Sequence, residues 1–311
     1  MNIKALTDAE KAAAGLSNIR SFLVMWDGSV VSENYYAGTT AATPHHVRSI
    51  TKSIVSALVG IAIDKGIIHG VDDKVVDYIP ELKAQDNDIR KQQITLRHLL
   101  TMISGFGWEE TGEWFFSDTL SALSDAWDRP LVGNPGEVYN YDSASTDLLT
   151  VILTRAANQE AQAFAIENLF APLDITNFEW EKDPAGYHRG SAGLVMSAQD
   201  LAKIGQLYLQ KGQWDKREIL SSEWIEQSVA QHVRVNNVVS YGYLWRSRQV
   251  GSIRLYYGMG YGGQYLMVVP DLKLIVVANH NWRVSGEEAD QQKYAFTDRV
   301  FDPMVAAWQM P

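Results

Sequence analysis

The chain has 311 residues, of which 46% are hydrophobic and 21% are charged. This balance excludes a disordered or fibrous chain, and the length predicts one or two domains around a large buried core. A formal net charge of −10 without a basic block argues against nucleic acid and anionic membrane surfaces as partners. The lack of cysteine excludes disulfides, thiolate metal sites and a cysteine nucleophile.

The first fifteen residues contain polar side chains every few positions and no apolar core, so we expect neither a signal peptide nor a membrane anchor in this chain. We expect a cytoplasmic protein if the chain is complete, and a periplasmic or secreted one if an export signal was removed. The longest apolar run, Ile54–Ile63, is interrupted by Ser56 and Gly60. Because it is far shorter than a bilayer requires, we predict no membrane span.

The N-terminal part predicts a short helix, a β-hairpin and a longer helix. Thr7 and Glu10 have the spacing of a capping box, and Gly15 suits the left-handed end of a helix. Two apolar, β-branched runs then flank Asp27-Gly28, a dipeptide that supplies the positive φ angles of a tight hairpin. A long apolar segment follows and predicts a buried helix that ends at Lys65-Gly66.

Helical patterns dominate the middle of the chain, and strand patterns return after a helix that Ser197 caps. The predicted helices are 96–102, 118–127, 145–157 and 161–170, and the predicted late strands are 241–246, 252–257, 264–269 and 273–279. We therefore predict an α/β fold, with an antiparallel sheet formed from the N- and C-terminal segments and flanked by helices. Residues 1–70 and 187–311 would form this sheet domain, and residues 71–186 a mostly helical inserted domain.

Ser49 and Lys52 form the first candidate pair for chemistry. They lie three residues apart, so one helical turn places the hydroxyl and the amine on the same face. Lys52 begins an otherwise apolar helix, where a cation needs a partner or must lose its proton, and a buried amine can act as a base. The alternative is that Ser49 is an ordinary N-cap.

A second candidate is the dense cluster of polar and aromatic residues at 139–143, which follows a Pro-Gly turn and precedes a helix. Its structural interpretation is that Ser143 or Ser145 caps the helix while Tyr139 and Tyr141 pack between two lobes.

Other motifs favour a mechanism without a cofactor. The sequence lacks a Gly-x-Ser-x-Gly elbow, a Walker loop and a His-Glu-x-x-His motif. Residues 258–263 match the dinucleotide pattern G-x-G-x-x-G, but a strand pattern follows instead of the helix that would bind a pyrophosphate. We interpret His45-His46 as loop surface and expect no metal site there.

Taken together and in order, these residues resemble the serine β-lactamase and penicillin-recognising superfamily, in its branch of class C β-lactamase-like esterases, amidases and D-amino-acid peptidases. The resemblance covers most of the chain and implies a class C β-lactamase-like fold. The further segments that carry it are Leu96–Gly105, Pro135–Glu137, Ala171–Leu173, Ser191–Leu194 and Gly262–Gln264.

The resemblance implies an acyl-transfer site built on Ser49. Ser49 would be the nucleophile, and Lys52 and Tyr141 would form the pair that accepts its proton. Ser143, which ends the Tyr-x-Ser motif, would orient that pair. The backbone amides of Ser49 and Tyr261 would form the oxyanion hole.

The family's third motif, Lys-Thr-Gly, falls at Gly258-Met259-Gly260, where the glycine is kept and the lysine is missing. Met259 and Gly260 would contact the substrate. In β-lactamases that lysine helps hold the substrate carboxylate through a bond worth about 1.5 to 3 kcal/mol, so we do not expect efficient β-lactam turnover. The arginines that could supply a replacement cation are Arg246, Arg254 and Arg283.

Aromatic side chains near these motifs either line a substrate pocket or form ordinary core. They are Phe106, Trp108, Trp114, Phe115, Phe116, Tyr139, Tyr243 and Trp245. We expect Trp108, Trp114, Phe115 and Tyr139 to contact the substrate.

A pocket without the lysine favours a neutral, moderately apolar acyl group, and hence a carboxylesterase or small-amide hydrolase. The alternatives are a DD-peptidase or D-aminopeptidase, a weak β-lactamase, or a non-catalytic binding protein on the same fold. The last is disfavoured because Ser49, Lys52 and Tyr141 are all present.

Overall fold

A computed structural model describes residues 1–85, 88–109 and 121–308 of the chain. Its strands lie in one large and two small sheets. In chain order they are β1 (Ile19–Trp26), β2 (Ser29–Tyr35), β3 (His45–His46), β4 (Phe178–Trp180), β5 (Leu194–Met196), β6 (Gln213–Trp214), β7 (Arg217–Glu218), β8 (Val233–Arg234), β9 (Ser240–Tyr241), β10 (Arg246–Val250), β11 (Ile253–Gly260), β12 (Gln264–Val269) and β13 (Leu274–His280).

The helices cover the sheets and fill the middle of the chain. In chain order they are α1 (Ile3–Ala14), α2 (Ile50–Asp64), α3 (Val75–Tyr78), α4 (Leu82–Gln85), α5 (Leu96–Leu100), α6 (Ala122–Trp127), α7 (Ser143–Ala157), α8 (Ala161–Ala165), α9 (Ala198–Leu209), α10 (Ser222–Ser228), α11 (Gly286–Phe296) and α12 (Asp302–Trp308).

The large sheet is antiparallel and has the strand order β2-β1-β13-β12-β11-β10-β9-β8 within the described ranges. β1 pairs with β2 on one side and with β13 on the other, so the two ends of the chain meet in one sheet. With helices on its faces and a helical segment inserted in the middle of the chain, this confirms the predicted fold class. The domain boundaries at residues 70 and 187 stay a prediction.

Side chains of β12 alternate between two hydrophobic cores, as the two-residue period of a strand requires. Leu266 and Val268 belong to the core that also contains α2, α7 and α9. Tyr265 and Met267 face the opposite core, which α1, α11 and α12 complete. Because both faces of the strand are covered, all six of its residues are buried.

Three local predictions were wrong. The predicted strand 241–246 is not formed, because only its end residues lie in strands, β9 and β10. The first helix begins at Ile3 rather than near Thr7, because the side chain of Asn2 accepts the Ala5 amide and caps it a turn earlier. His45 and His46 are not loop surface: they form β3, which pairs with β5, and His45 is buried. The predicted Asp27-Gly28 hairpin is present, with φ angles of 48° and 82° at these residues.

Candidate active site

Ser49 lies at the N-terminus of α2, in the N-cap position, but it does not act as a cap. Its side chain makes no capping hydrogen bond. The preceding residue, Arg48, has a φ of 54°, a left-handed conformation that is unfavourable for a residue with a side chain. Among the described residues, the Ser49 amide donates to no acceptor. Both the hydroxyl and this amide are therefore available for chemistry.

Lys52 is 1% exposed and uses its amine to join three segments of the chain. Its Nζ donates to Ser49 Oγ at 3.0 Å and to Ser143 Oγ at 3.1 Å. A third bond, of 2.7 Å, goes to the backbone oxygen of Ser191. The buried amine is thus held against the hydroxyl of Ser49, as nucleophile activation requires.

The N-terminus of α7 supplies Ser143, and the predicted capping role of Ser143 or Ser145 was wrong. The cap is Asp142, whose carboxylate accepts the amides of Ala144 and Ser145. Asp142 also accepts a short bond from Ser145 Oγ. Because the carboxylate satisfies the helix end, the hydroxyl of Ser143 can accept from Lys52.

Tyr141 lies beside this amine, in the loop that leads into α7. The Nζ of Lys52 is 5.0 Å from the centre of the Tyr141 ring. Asn140, the preceding residue, donates from Nδ2 to the backbone oxygens of Phe106 and Trp108 at 3.1 and 2.9 Å. These bonds fix the loop that carries Tyr139 and Tyr141 against the segment after Ser104-Gly105.

Two glycines let the end of β11 approach the nucleophile. A Cβ on Gly260 would lie 2.4 Å from the Val47 oxygen and 2.8 Å from Arg48 Cβ. A Cβ on Gly258 would lie 3.1 Å from Ser53 Oγ, which leaves little room for the missing lysine at that position. Tyr261 directly follows this strand end, and residues 261–263 form the turn into β12, so the glycine motif is a hairpin rather than a nucleotide loop.

Of the three candidate arginines, Arg246 is the one whose guanidinium contacts a residue of the motifs, Tyr141. Its guanidinium carbon lies 4.7 Å from the Tyr141 ring centre and 5.5 Å from that of Tyr241. Burial opposes its charge, but the surrounding tyrosines outweigh burial and raise the pKa of Arg246. Arg254 donates to the Val229 oxygen, and Arg283 stacks on Trp282.

Ser191 and Asp147 complete the site, and no role was predicted for either. Asp147 accepts the Ser191 amide at 2.8 Å and the Ser191 hydroxyl at 3.1 Å. Burial raises the pKa of Asp147 to about 6, against these bonds and the charges of Lys52 and Arg189, which lower it. A signal was available, because Asp147 lies one helical turn after Ser143 and so on the same face of a buried helix.

The candidate aromatic residues take different places. Phe106, Trp108, Tyr243 and Trp245 are buried in the core that contains α2. The guanidinium carbon of Arg129 also lies over the Trp108 ring, 4.2 Å from its centre. Tyr139 is partly buried and packs on Tyr241 with ring centres 5.6 Å apart. Trp114, Phe115 and Phe116 lie outside the described residues, and Met259 is partly exposed on β11.

Two further features bear on the class of protein. In the described ranges, no three His, Cys, Asp or Glu side chains are grouped as a metal site requires. Within the same ranges, every helix is too short or too polar to cross a bilayer.

The family model described as Beta-lactamase matches residues 4–298 of the chain. A curated relative, the 6-aminohexanoate-dimer hydrolase of Paenarthrobacter ureafaciens, is 27% identical over 227 residues. That match covers 68% of this chain and 57% of the relative, so the chain matches only a little over half of the relative's length.

Solved structures share the fold. A protein from Bacillus anthracis, with a proposed identity as a 6-aminohexanoate-dimer hydrolase, superposes with a TM-score of 0.78 at 20% identity, over 100% of this chain and 83% of its own. EstCE1, a hydrolase with promiscuous acyltransferase activity, also superposes with a TM-score of 0.78, at 16% identity. The match covers 96% of this chain and 97% of EstCE1. At these identities the likeness concerns the fold alone.

Proposed function

The chain belongs to the beta-lactamase family of serine hydrolases, and from this premise we propose that it cleaves an ester or amide bond through a covalent acyl-enzyme on Ser49. The observation that carries the proposal is the amine of Lys52, held between the hydroxyls of Ser49 and Ser143 in a buried site. The relatives named for ester, amide or acyl-transfer chemistry support the same bond types.

In the proposed first step, Ser49 Oγ attacks the carbonyl carbon and its proton passes to Lys52 and Tyr141. The carbonyl oxygen gains the negative charge, and the amides of Ser49 and Tyr261 stabilise it, helped by the dipole of α2. Collapse of this intermediate breaks the bond to the leaving group, which takes the proton. Water, activated by the same pair, then releases the acid and restores Ser49.

We propose a neutral, moderately apolar acyl group, and therefore a carboxylesterase or small-amide hydrolase. Gly258 supports this choice, because no lysine is present at the third motif to hold a carboxylate. The Paenarthrobacter relative is named as a 6-aminohexanoate-dimer hydrolase, which supports a small-molecule substrate.

A second candidate is a substrate whose leaving group carries a carboxylate, as in a DD-peptidase or D-aminopeptidase. It is favoured by Arg246, whose guanidinium carbon lies 4.7 Å from the centre of the Tyr141 ring. A guanidinium can bind a carboxylate through two parallel bonds.

The test is Ser49→Ala in the full chain, followed by hydrolysis of p-nitrophenyl butyrate and by intact mass after brief exposure to a fluorophosphonate. We expect one adduct on the wild type, none on the variant, and a loss of at least about a thousandfold in turnover. Ser56→Ala, a buried serine on the same helix, is the control and should keep both signals. Retained turnover in folded Ser49→Ala would exclude Ser49 as the nucleophile.

A further inference from the structure

Lys52 is linked through Ser191 to Asp147, a residue to which it makes no hydrogen bond itself. Its shortest hydrogen bond, of 2.7 Å, goes to the backbone oxygen of Ser191. Backbone oxygens in an irregular segment have no helix or strand to hold them, so their position depends on local side-chain contacts. Here the contact is Asp147, which accepts both the amide and the hydroxyl of Ser191.

This arrangement is buried from end to end. Asp147, Ser191 and Lys52 are 2%, 1% and 1% exposed, respectively. A carboxylate in such surroundings is costly unless it is hydrogen-bonded or faces a cation. The charged groups that act on Asp147 are Lys52, from α2, and Arg189, from the segment before Ser191. Arg189 is cationic, and Lys52 becomes cationic once it takes the proton of Ser49, so both favour the ionised form of Asp147.

We propose that Asp147 is a positioning residue for Lys52: through Ser191 it fixes the amine, and its carboxylate stabilises the positive charge that Lys52 gains on taking the proton of Ser49. The inference rests on the proposed function, in which Lys52 accepts that proton. A buried carboxylate behind a base has this effect wherever the base becomes cationic in the transition state.

The charge and the position can be separated by substitution. In Asp147→Asn the amide oxygen can still accept the Ser191 amide, but the negative charge is gone. In Ser191→Ala the backbone oxygen that binds Lys52 remains, while Asp147 loses the bond from the hydroxyl. That bond lowers the pKa of Asp147, so its loss should raise it.

The experiment measures kcat for p-nitrophenyl butyrate across the pH range in which Asp147 ionises. For the wild type we expect activity to fall as the pH drops through the pKa of Asp147, which lies at about 6. Asp147→Asn should lose about 10- to 100-fold in kcat above that pH, the equivalent of one hydrogen bond to a charged group. The fall in kcat at acidic pH, which we call the acid limb, should also be absent from this variant. Ser191→Ala should keep the acid limb, with its midpoint moved to higher pH.

Asp183→Asn is the matched control, because Asp183 is also buried and accepts a backbone amide, that of Tyr187. It should leave the profile unchanged. If folded Asp147→Asn keeps both kcat and the acid limb, the inference is wrong. If that variant does not fold, the inference is instead overturned by a Ser191→Ala variant whose acid limb has the same midpoint as that of the wild type. Failure of the proposed function is distinct: the wild type would then show neither turnover nor a fluorophosphonate adduct.

Discussion

Arg246 and Lys52 approach the ring of the same tyrosine, Tyr141, at 4.7 and 5.0 Å. The neighbouring Arg248 is bonded through both its terminal nitrogens to Asp302, whereas Arg246 has no carboxylate partner in the described part of the chain. An unpaired cation beside Tyr141 can stabilise negative charge on its oxygen, and can also bind an anionic leaving group. Both effects can be measured.

We predict that Arg246→Gln lowers kcat/KM for a neutral aryl butyrate about tenfold, because Tyr141 loses the neighbouring charge. For the same ester with a meta-carboxylate on the leaving phenol, the loss should be about tenfold greater, since a charge-assisted bond is lost as well. Steady-state kinetics on the matched pair of esters measures both losses.

Arg254→Gln is the control, because Arg254 is exposed and contacts Val229 instead of the site. An unchanged ratio between the two esters in Arg246→Gln would show that Arg246 does not bind the leaving group, and would leave the neutral-substrate proposal in place.

At the residue scale, the sequence identified Ser49, Lys52 and Ser143, which the structure brings into one hydrogen-bonded group, because motif spacing depends on local helix geometry. It assigned no role to Asp147 or Ser191, which lie 44 positions apart and meet only through tertiary packing. The alternative interpretation, in which Ser143 or Ser145 caps the helix, was wrong, because the carboxylate of Asp142 accepts the amides at the helix end.

At the scale of elements, the approach of β11 to α2 determines whether the amides of Ser49 and Tyr261 can act on the same oxygen. We predict that Gly260→Ala leaves a folded protein but lowers kcat by about 100-fold or more. Its Cβ would lie 2.4 Å from the Val47 oxygen and push the strand end away from the nucleophile. Kinetics with p-nitrophenyl butyrate, with circular dichroism to monitor folding, measures this.

Substitutions at two other glycines serve as comparisons for that experiment. Gly258→Ala introduces a looser contact, at 3.1 Å, and should lower activity less. At Gly286 a Cβ would meet nothing within 4 Å, so Gly286→Ala should be neutral. Equal activity in all three variants would mean that the strand end does not position the oxyanion site.

Elements were predictable where a local signal determines them. The Asp27-Gly28 hairpin and the strand 264–269 follow from turn chemistry and from bounded apolar runs. β3 was missed because a strand of two residues has no period to detect, and its pairing with β5 joins positions about 150 residues apart. The early start of α1 was missed because Asn2 and the Thr7 capping box both fit a helix start.

At the scale of the whole molecule, buried histidines and Asp147 make stability depend on pH. Burial lowers the pKa of both His45 and His280 from 6.5 to about 4. Between these values the unfolded chain binds protons that the folded chain does not, so each of these histidines lowers the free energy of unfolding by about 3 kcal/mol as the pH falls to 4. Asp147 acts in the opposite direction, because its pKa is higher folded than unfolded.

We therefore predict that the free energy of unfolding falls between neutral pH and pH 4, because burial also lowers the pKa of His46, His98 and His188, and the histidines together outweigh Asp147. Ion-paired carboxylates with lowered pKa, such as Asp72 and Glu181, act in the same direction as the histidines. Urea unfolding at the two pH values measures the fall. His45→Gln should reduce it, because glutamine has no proton to gain, whereas Asp147→Asn should steepen it. A fall that is unaltered in both variants would mean that the acid sensitivity originates in the surface carboxylates instead of the buried groups.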